Sequence, residues 1–168
     1  MRYPEKEFSL SDLAKESGVA KPHMNPLLHE LMKLNLVTII KLSKIWRIKA
    51  NQQNDLFLKM KILTNLQRLY LSGLIEILNE GFGNPKAIIV FGSFRNGEDL
   101  STSDIDLAIE KEDISEYKTI SLPHGESIEK SLGRRIQIHL FNKKNVDRHV
   151  FNNIANGIVL SGFLEVNP

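Results

Sequence analysis

The segment VFGSFRNGEDLSTSDIDLAIE, residues 90–110, carries the pattern that decides the fold. Gly92 and Ser93 follow AIIVF, a continuous apolar run that is typical of an interior strand. Ten residues later comes SDIDLAI, in which polar and apolar residues alternate. Because successive side chains on a strand point to opposite faces, Asp104 and Asp106 are predicted to share one face. The segment therefore predicts two strands joined through a glycine turn, with a pair of carboxylates on the second.

These residue types, in this order, suit a nucleoside triphosphate and its metal ion. A glycine after a strand lets backbone amides approach phosphate closely, and the Ser93 hydroxyl adds a hydrogen-bond donor. Mg²⁺ prefers oxygen ligands, and two carboxylates two residues apart on a strand can hold one ion or a pair. We therefore take Gly92 and Ser93 as candidate nucleotide-binding residues, with Arg95 as a further candidate, and Asp104 and Asp106 as candidate catalytic and metal-binding residues.

The spacing Gly92-Ser93, ten residues, Asp104-x-Asp106 resembles the nucleotidyltransferase superfamily related to polymerase β, and most closely its minimal nucleotidyltransferase branch. The flanking segments IIVFGSF, SDIDLAI and NGIVLSG are also similar to the family, so the resemblance covers about residues 56–168. It implies a small α/β domain with a mixed sheet, Mg²⁺ or Mn²⁺ as cofactor, and transfer of NMP from an NTP, ATP being the expected donor, to a hydroxyl acceptor.

The chain departs from the family pattern at one position. Family enzymes carry a third carboxylate on the next core strand, where this chain has IQIHL. Gln137 occupies the acidic place and His139 follows on the same face, so these two are the candidates for the third position. A glutamine carbonyl brings no charge, and neutral histidine suits softer metals better than Mg²⁺. Glu126 and Glu129, in the preceding segment, are alternative sources of the missing carboxylate.

Composition places the chain among folded proteins of one or two small domains. Its 168 residues are 42% hydrophobic, with 22 basic and 20 acidic side chains. The absence of cysteine excludes disulfides and thiolate metal sites. The start, MRYPEKEFSL, has no apolar signal region and no apolar run approaches membrane-spanning length, so a cytoplasmic location is expected.

The first third of the chain is more basic than the rest, and its pattern differs. Residues 21–49 hold six basic side chains and one acid. Ser9 and Gly18 bracket a short predicted helix, a second helix precedes Asn35, and two β-branched runs within residues 37–50 surround a polar KLSK turn. This order resembles a winged helix-turn-helix, which implies DNA binding, and the candidate contacts are the basic side chains Lys21, Lys41, Lys44, Arg47 and Lys49.

The second predicted helix contains a proline whose position decides where the helix begins. Asn25-Pro26 is typical of a helix cap followed by a first-turn proline, because an interior proline removes a backbone hydrogen bond. This interpretation predicts a helix of about nine residues that leaves Lys21 and His23 outside it.

The fold prediction is an α+β chain of two domains, a winged helix-turn-helix at residues 1–52 and the nucleotidyltransferase domain at residues 53–168. The polar segment NQQND marks the joint, and residues 56–80 are expected to form a long, largely buried helix with a break near Gly73. Within the nucleotidyltransferase domain we also predict a strand over RRIQIHLF and a helix that ends at Gly157.

Three functions remain open on the sequence. The first is a metal-dependent nucleotidyltransferase, whose acceptor in this branch can be a small molecule or a tyrosine of a partner toxin of the helical HEPN kind. The second is a DNA-binding regulator or antitoxin whose transferase domain binds nucleotide or a partner. The third is an interaction module with a decayed site. A homodimer is expected only from the resemblance to DNA-binding winged helices.

Overall fold

The structure is a computed structural model that describes residues 2–42, 45–144 and 146–166. The chain divides into two compact units, Met1–Lys61 and Ile62–Pro168, and the division falls inside the third helix. The predicted domain boundary between residues 52 and 53 stays a prediction. Within the described residues, no helix is long and apolar enough to cross a membrane.

The first unit consists of helices followed by a hairpin. Helix α1 spans Leu10–Ser17, α2 spans Lys21–Lys33, and strands β1 (Val37–Leu42) and β2 (Ile45–Ala50) pair antiparallel. The Ser9 hydroxyl caps α1 by accepting from the Asp12 amide, and Gly18 ends it with φ of 69°. Asn35 takes a left-handed conformation after α2, with φ of 54°. The predicted caps and hairpin are therefore confirmed.

The start of α2 was predicted wrongly. The helix begins at Lys21, so Lys21 and His23 lie within it and Pro26 is an interior residue. Pro22, at the helix start, already fixes a helical φ, and the His23 amide donates to the Ala20 carbonyl. Met24 is 1% exposed. Burial of this residue depends on the turn before Pro26 being helical, and it offsets the cost of the interior proline.

Helix α3 spans Asp55–Leu71 and α4 spans Leu74–Gly81, with the predicted break at Gly73, where φ is 76°. Burial of this pair was overestimated. Leu69, Leu74 and Leu78 are fully buried, whereas Leu63 and Leu71 are 68% and 78% exposed. The pair is therefore amphipathic, with part of its apolar surface in solvent.

A five-stranded mixed sheet forms the centre of the second unit. Its strands run in the order β5-β6-β4-β3-β7, with β4 and β6 parallel and the other neighbours antiparallel. Their bounds are β3 Ala87–Phe91, β4 Ile105–Glu110, β5 Lys118–Ser121, β6 Ile136–Phe141 and β7 Ile158–Gly162. The remaining helices are α5 Gly92–Asn96, α6 Glu126–Leu132 and α7 Arg148–Ala155.

The two faces of this sheet differ in character. One face carries branched aliphatic side chains, among them Ile88, Leu107 and Ile138, which pack with α4 and α6 in the main core. Alternation places Asp106 and Gln137 on the opposite face, which also carries a second, smaller apolar core that includes Ala108, Phe141 and, from α7, Ile154. The sequence pattern of β4 and β6 therefore fixes which side of the sheet can hold polar ligands.

Candidate functional site

Gly92 stands at the junction of β3 and α5 and approaches Asp106 more closely than any other residue type could. Its φ is 70°, which is left-handed backbone, and an ideal Cβ added to it would lie 2.7 Å from Asp106 Oδ2. A side chain here would have to displace the carboxylate. The segment between Gly92 and Asn96 is a short helix, not the loop expected from the sequence. Glycine is therefore required both by conformation and by space.

Asp104 and Asp106 lie on the polar side of the sheet, as the alternation predicts. Asp106 is in register with Phe91 of β3 and with Gln137 of β6. Asp104 just precedes β4 and pairs with the exposed guanidinium of Arg135, whose Nε lies 3.0 Å from Oδ1. The two carboxylate side chains are 31% and 25% exposed, so both are reachable from solvent.

The third position holds no carboxylate. Gln137 stands beside Asp106, and His139 directs Nε2 to Asp106 Oδ1 at 3.3 Å. The other ring nitrogen of His139, Nδ1, lies 2.5 Å from the Tyr117 hydroxyl. His139 is therefore hydrogen-bonded on both sides, as a neighbour of the aspartate. Among the described residues, no group of three or more acidic or histidine side chains is placed to hold a metal.

The donor set present still fits Mg²⁺. This ion is commonly bound through one or two carboxylates together with substrate phosphates and water, without an all-protein cage. Asp104 and Asp106 supply the two carboxylates, and the Gln137 side chain supplies a neutral oxygen beside them. These residues supply too few ligands to hold the ion by themselves, and they fit a metal ion whose remaining ligands come from a bound triphosphate and water.

The family model described as "Nucleotidyltransferase domain" matches residues 71–160, which is more than half of the chain. The chain belongs to the nucleotidyltransferase domain family. No curated protein matches it by sequence. The match includes Gly92, Ser93, Asp104, Asp106 and the third position, so the site just described lies within the family domain. Membership suggests transferase activity with an NTP as the donor of NMP.

Arg95 of this nucleotidyltransferase domain lies beside the glycine-serine pair. A cavity of about 360 Å³ is lined by Gly92, Ser93, Arg95 and, from α7, Asn153 and Asn156. The Arg95 Nη1 donates to Asn96, while its Nε is buried and has no hydrogen-bond partner among the described residues. A buried donor without a partner is costly, which makes Arg95 a group suited to a ligand in this cavity.

Sequence reasoning missed a buried polar network that supports the same domain. Asp99 and Arg134 form an ion pair, 3.5 Å between Oδ2 and Nη2, and their side chains are 1% and 2% exposed. Asn65 of α3 donates to Asp99 and to the Phe94 carbonyl, both at 2.9 Å. Arg134 also donates to the Ser101 carbonyl at 2.9 Å. The network ties α5 and the following loop to α3 and to the turn between α6 and β6, and its members are too far apart in sequence for any local pattern to reveal it.

Glu126 and Glu129 line a second cavity of about 330 Å³, together with Asp104, Gln137 and Arg135. Glu129 Oε1 accepts from the Ile136 amide at 2.7 Å, so it holds the start of β6. Neither glutamate joins the aspartates in a metal cluster within the described part of the chain. Their suggested role as the missing carboxylate therefore gains no support, although both line this cavity together with Gln137.

The candidate DNA-binding side chains do not form one surface. In the β1–β2 register, Lys41 is opposite Trp46 and Nζ lies 4.3 Å from its ring centre, on the side of the core residue Ile48. Arg47 and Lys49 point to the other side by alternation, and Arg47 is paired with Glu7 at 2.5 Å. Lys21 Nζ donates to the Ser11 hydroxyl. Lys44 lies outside the described residues.

Proposed function

We propose that this chain is a metal-dependent nucleotidyltransferase that transfers NMP from an NTP, with ATP as the preferred donor, to a hydroxyl acceptor. The observation that carries the proposal is the approach of Gly92 to Asp106, with Asp104 alongside, inside a nucleotidyltransferase domain. That arrangement packs the backbone turn directly against one of two neighbouring carboxylates, so a phosphate bound by the turn would lie next to a metal held by the aspartates. Structural glycine turns do not need so close an approach to a carboxylate.

The residues divide the work of binding and transfer. Gly92 and Ser93 donate to phosphate oxygens, Arg95 reaches the nucleotide from the adjoining cavity, and Asp104 and Asp106 hold Mg²⁺ or Mn²⁺. When bound, this metal would neutralise phosphate charge and orient the reacting oxygens. The acceptor oxygen forms a bond to the α-phosphorus, the bond to the bridging oxygen breaks, and pyrophosphate leaves with the electron pair.

The proton of the acceptor hydroxyl has no carboxylate to receive it at the third position. Gln137 is not basic, and His139 is already hydrogen-bonded to Asp106 and to Tyr117. General-base assistance contributes about a hundred- to ten-thousand-fold in rate. Slow transfer with intact nucleotide binding is therefore the expected behaviour of the wild-type chain.

The test is transfer of label from α-labelled ATP, with Mg²⁺ or Mn²⁺, to cell extract and to purified helical toxins of the HEPN kind. Labelled product that depends on Asp104 and Asp106 supports the proposal. Binding of ATP without NMP transfer, whether Mg²⁺ or Mn²⁺ is supplied, favours a DNA-binding regulator, the second candidate. Absence of ATP binding contradicts the transferase proposal and leaves only the partner-binding form of the second candidate.

The second candidate is a DNA-binding regulator or antitoxin in which the nucleotidyltransferase domain binds nucleotide or a partner. It is favoured by Gln137 at the third position and by the basic segment 21–49. On this proposal residues 1–52 form a winged helix-turn-helix-like domain that acts as a homodimer. Of the candidate contacts Lys21, Lys41, Lys44, Arg47 and Lys49, Arg47 and Lys49 share one face of the hairpin and supply the phosphate contacts there, whereas Lys41 lies on the opposite face.

Salt-dependent DNA binding tests this second candidate. Each phosphate contact that is removed should flatten the slope of log affinity against log salt by about one unit. Lys49→Ala should show this loss, whereas Arg47→Ala should show less, because Arg47 is already paired with Glu7. No DNA affinity at low salt would contradict the candidate.

A further inference from the structure

A chain of three side chains runs from the Tyr117 hydroxyl through His139 to Asp106. Tyr117 is the residue just before β5, and His139 lies on the neighbouring strand β6. The Tyr117 hydroxyl is 2.5 Å from His139 Nδ1, and His139 Nε2 is 3.3 Å from Asp106 Oδ1. A hydroxyl that the sequence did not single out is therefore connected, through one imidazole, to a candidate metal ligand.

The imidazole of His139 is held from several sides. Its side chain is only 12% exposed. The Phe91 ring meets it edge-on with 4.9 Å between centroids, and the Tyr117 ring lies tilted against it at 5.9 Å. Thr119, the cross-strand partner of His139, brings a second hydroxyl to 3.4 Å from Nδ1. Packing as well as hydrogen bonding therefore fixes the ring orientation that points Nε2 at the aspartate.

Hydrogen-bond chemistry selects one neutral form of this imidazole. An ionised carboxylate only accepts, so a hydrogen bond to Asp106 requires the proton on Nε2. Nδ1 then carries a lone pair, which accepts from the Tyr117 hydroxyl. In the other neutral tautomer, the Nε2 lone pair would face the carboxylate lone pairs and the two would repel each other. The hydrogen bond at Nδ1 thus decides what Nε2 can do.

The two oxygens of Asp106 face different groups. Oδ1 faces His139, whereas Oδ2 faces Gly92, where an added Cβ would lie 2.7 Å from it. Because the hydrogen bond to Oδ1 restrains rotation of the carboxylate, Oδ2 stays at the glycine turn, where the proposed function puts the metal–triphosphate. Hydrogen-bonded partners that orient metal-binding side chains are commonly worth about ten- to a hundredfold in metal affinity or activity.

We infer that Tyr117 is a positioning residue, which holds His139 in the Nε2–H tautomer so that His139 orients Asp106 for the metal. The inference rests on the proposed function for its metal, whereas the tautomer is a property of the chain alone. Tyr117 also packs against the smaller apolar core on this face of the sheet, so Tyr117→Phe keeps the ring and removes only the hydroxyl.

The first test observes the tautomer directly, in the full chain without nucleotide or metal. Two-bond proton–nitrogen correlation spectra of protein with isotope-labelled histidine distinguish the two neutral tautomers from each other and from imidazolium. His139→Gln identifies the signals of this ring among the five histidines. At about pH 8, where histidine side chains are ordinarily neutral, the wild type should show Nε2–H, and Tyr117→Phe should shift His139 toward a mixture of tautomers.

The matched control for the spectra is Tyr70→Phe, which removes the hydroxyl of an exposed tyrosine and should leave the His139 signals unchanged. Thr119→Val removes the more distant hydroxyl and should change them less than Tyr117→Phe does. An imidazolium or an Nδ1–H tautomer in the wild type would overturn the inference. So would His139 signals that respond to Thr119→Val and not to Tyr117→Phe.

The second test is calorimetric titration of the same variants with Mg²⁺–ATP. His139→Leu should weaken binding about ten- to a hundredfold. Tyr117→Phe, which acts through the ring, should weaken it about two- to tenfold. His139→Gln should retain most of the affinity, because its amide can donate from the position of Nε2. In the His139→Gln background Tyr117→Phe should cost nothing more, since an amide has no tautomer to lose, and a purely structural tyrosine would instead cost the same in both backgrounds.

The outcomes of this titration separate the inference from the function on which it rests. Wild-type affinity in His139→Leu, or equal losses from Tyr117→Phe in both backgrounds, would overturn the inference and leave the proposed function standing. Absence of Mg²⁺–ATP binding in the wild type would contradict the proposed function, and the spectra would still decide whether Tyr117 sets the tautomer.

Discussion

Gly92→Ala is the substitution for which the structure gives the sharpest expectation. Left-handed backbone costs an L-residue about 1–2 kcal/mol. The new methyl group would in addition lie 2.7 Å from Asp106 Oδ2, a distance that real Cβ atoms essentially never show, so the carboxylate must move. We expect this displacement to cost one hydrogen bond between the Gly92–Ser93 turn and a charged phosphate oxygen. Such a loss is worth about 1.5–3 kcal/mol, which corresponds to about a 10- to 150-fold weaker complex with Mg²⁺–ATP.

Gly83→Ala is the matched control, because Gly83 has φ of 68° and an added Cβ would meet nothing within 4 Å. Both variants should lose the same backbone contribution to the free energy of unfolding in urea, about 1–2 kcal/mol, and Gly92→Ala should lose more because the Asp106 carboxylate must also move. Only Gly92→Ala should lose affinity for Mg²⁺–ATP, measured by calorimetry. Gly92→Ala and wild type could instead show equal ATP affinity while ATP binding still depends on Asp106. That result would refute the argument that this glycine makes room for the carboxylate.

Three further substitutions test other parts of the site. Gln137→Asp should raise the rate of NMP transfer while leaving ATP affinity similar or tighter. If wild type already transfers NMP at a readily measured rate and this substitution does not change it, a role for the third position is contradicted. Asp99→Ala should lower the free energy of unfolding by about 3–5 kcal/mol, because it removes the carboxylate that balances the buried Arg134 charge. Asp99→Leu combined with Arg134→Met should cost less, and equal losses in a urea titration would argue against a buried pair. Burial raises the pKa of the Glu110 carboxyl above its ordinary value of 4.5, so the folded state holds more protons than the unfolded state between pH 4.5 and the raised pKa. The free energy of unfolding therefore falls as the pH rises through that window. Glu110→Gln should stabilise the fold more at pH 7 than at pH 4, and a gain independent of pH would contradict this.

The parts of the site that follow from local pattern were predictable from the sequence. Alternation in SDIDLAI fixed the shared face of Asp104 and Asp106, and the same period in IQIHL placed Gln137 beside them. The glycine and its neighbours at the end of an apolar run indicated the turn, although not the short helix α5 that follows.

The parts that depend on distant contacts were not predictable in this way. Strand β5 is a four-residue edge strand with little apolar content, and α6 is a seven-residue helix, so neither gives a strong periodic signal. The start of α2 was wrong because the burial of Met24 outweighed the local penalty at Pro26. The Asn65–Asp99–Arg134 network joins residues more than thirty positions apart, and only the folded chain brings them together.

The central claim is that Asp104 and Asp106 bind a metal–triphosphate against Gly92 and Ser93. The measurement that tests it most directly is calorimetric titration of the full chain with ATP, in Mg²⁺ and in EDTA, for wild type and for Asp104→Asn and Asp106→Asn. The account predicts one-site binding that requires the metal and is lost in both variants, while their unfolding midpoints stay near that of wild type. ATP affinity that is indifferent to the metal and to both aspartates would contradict it.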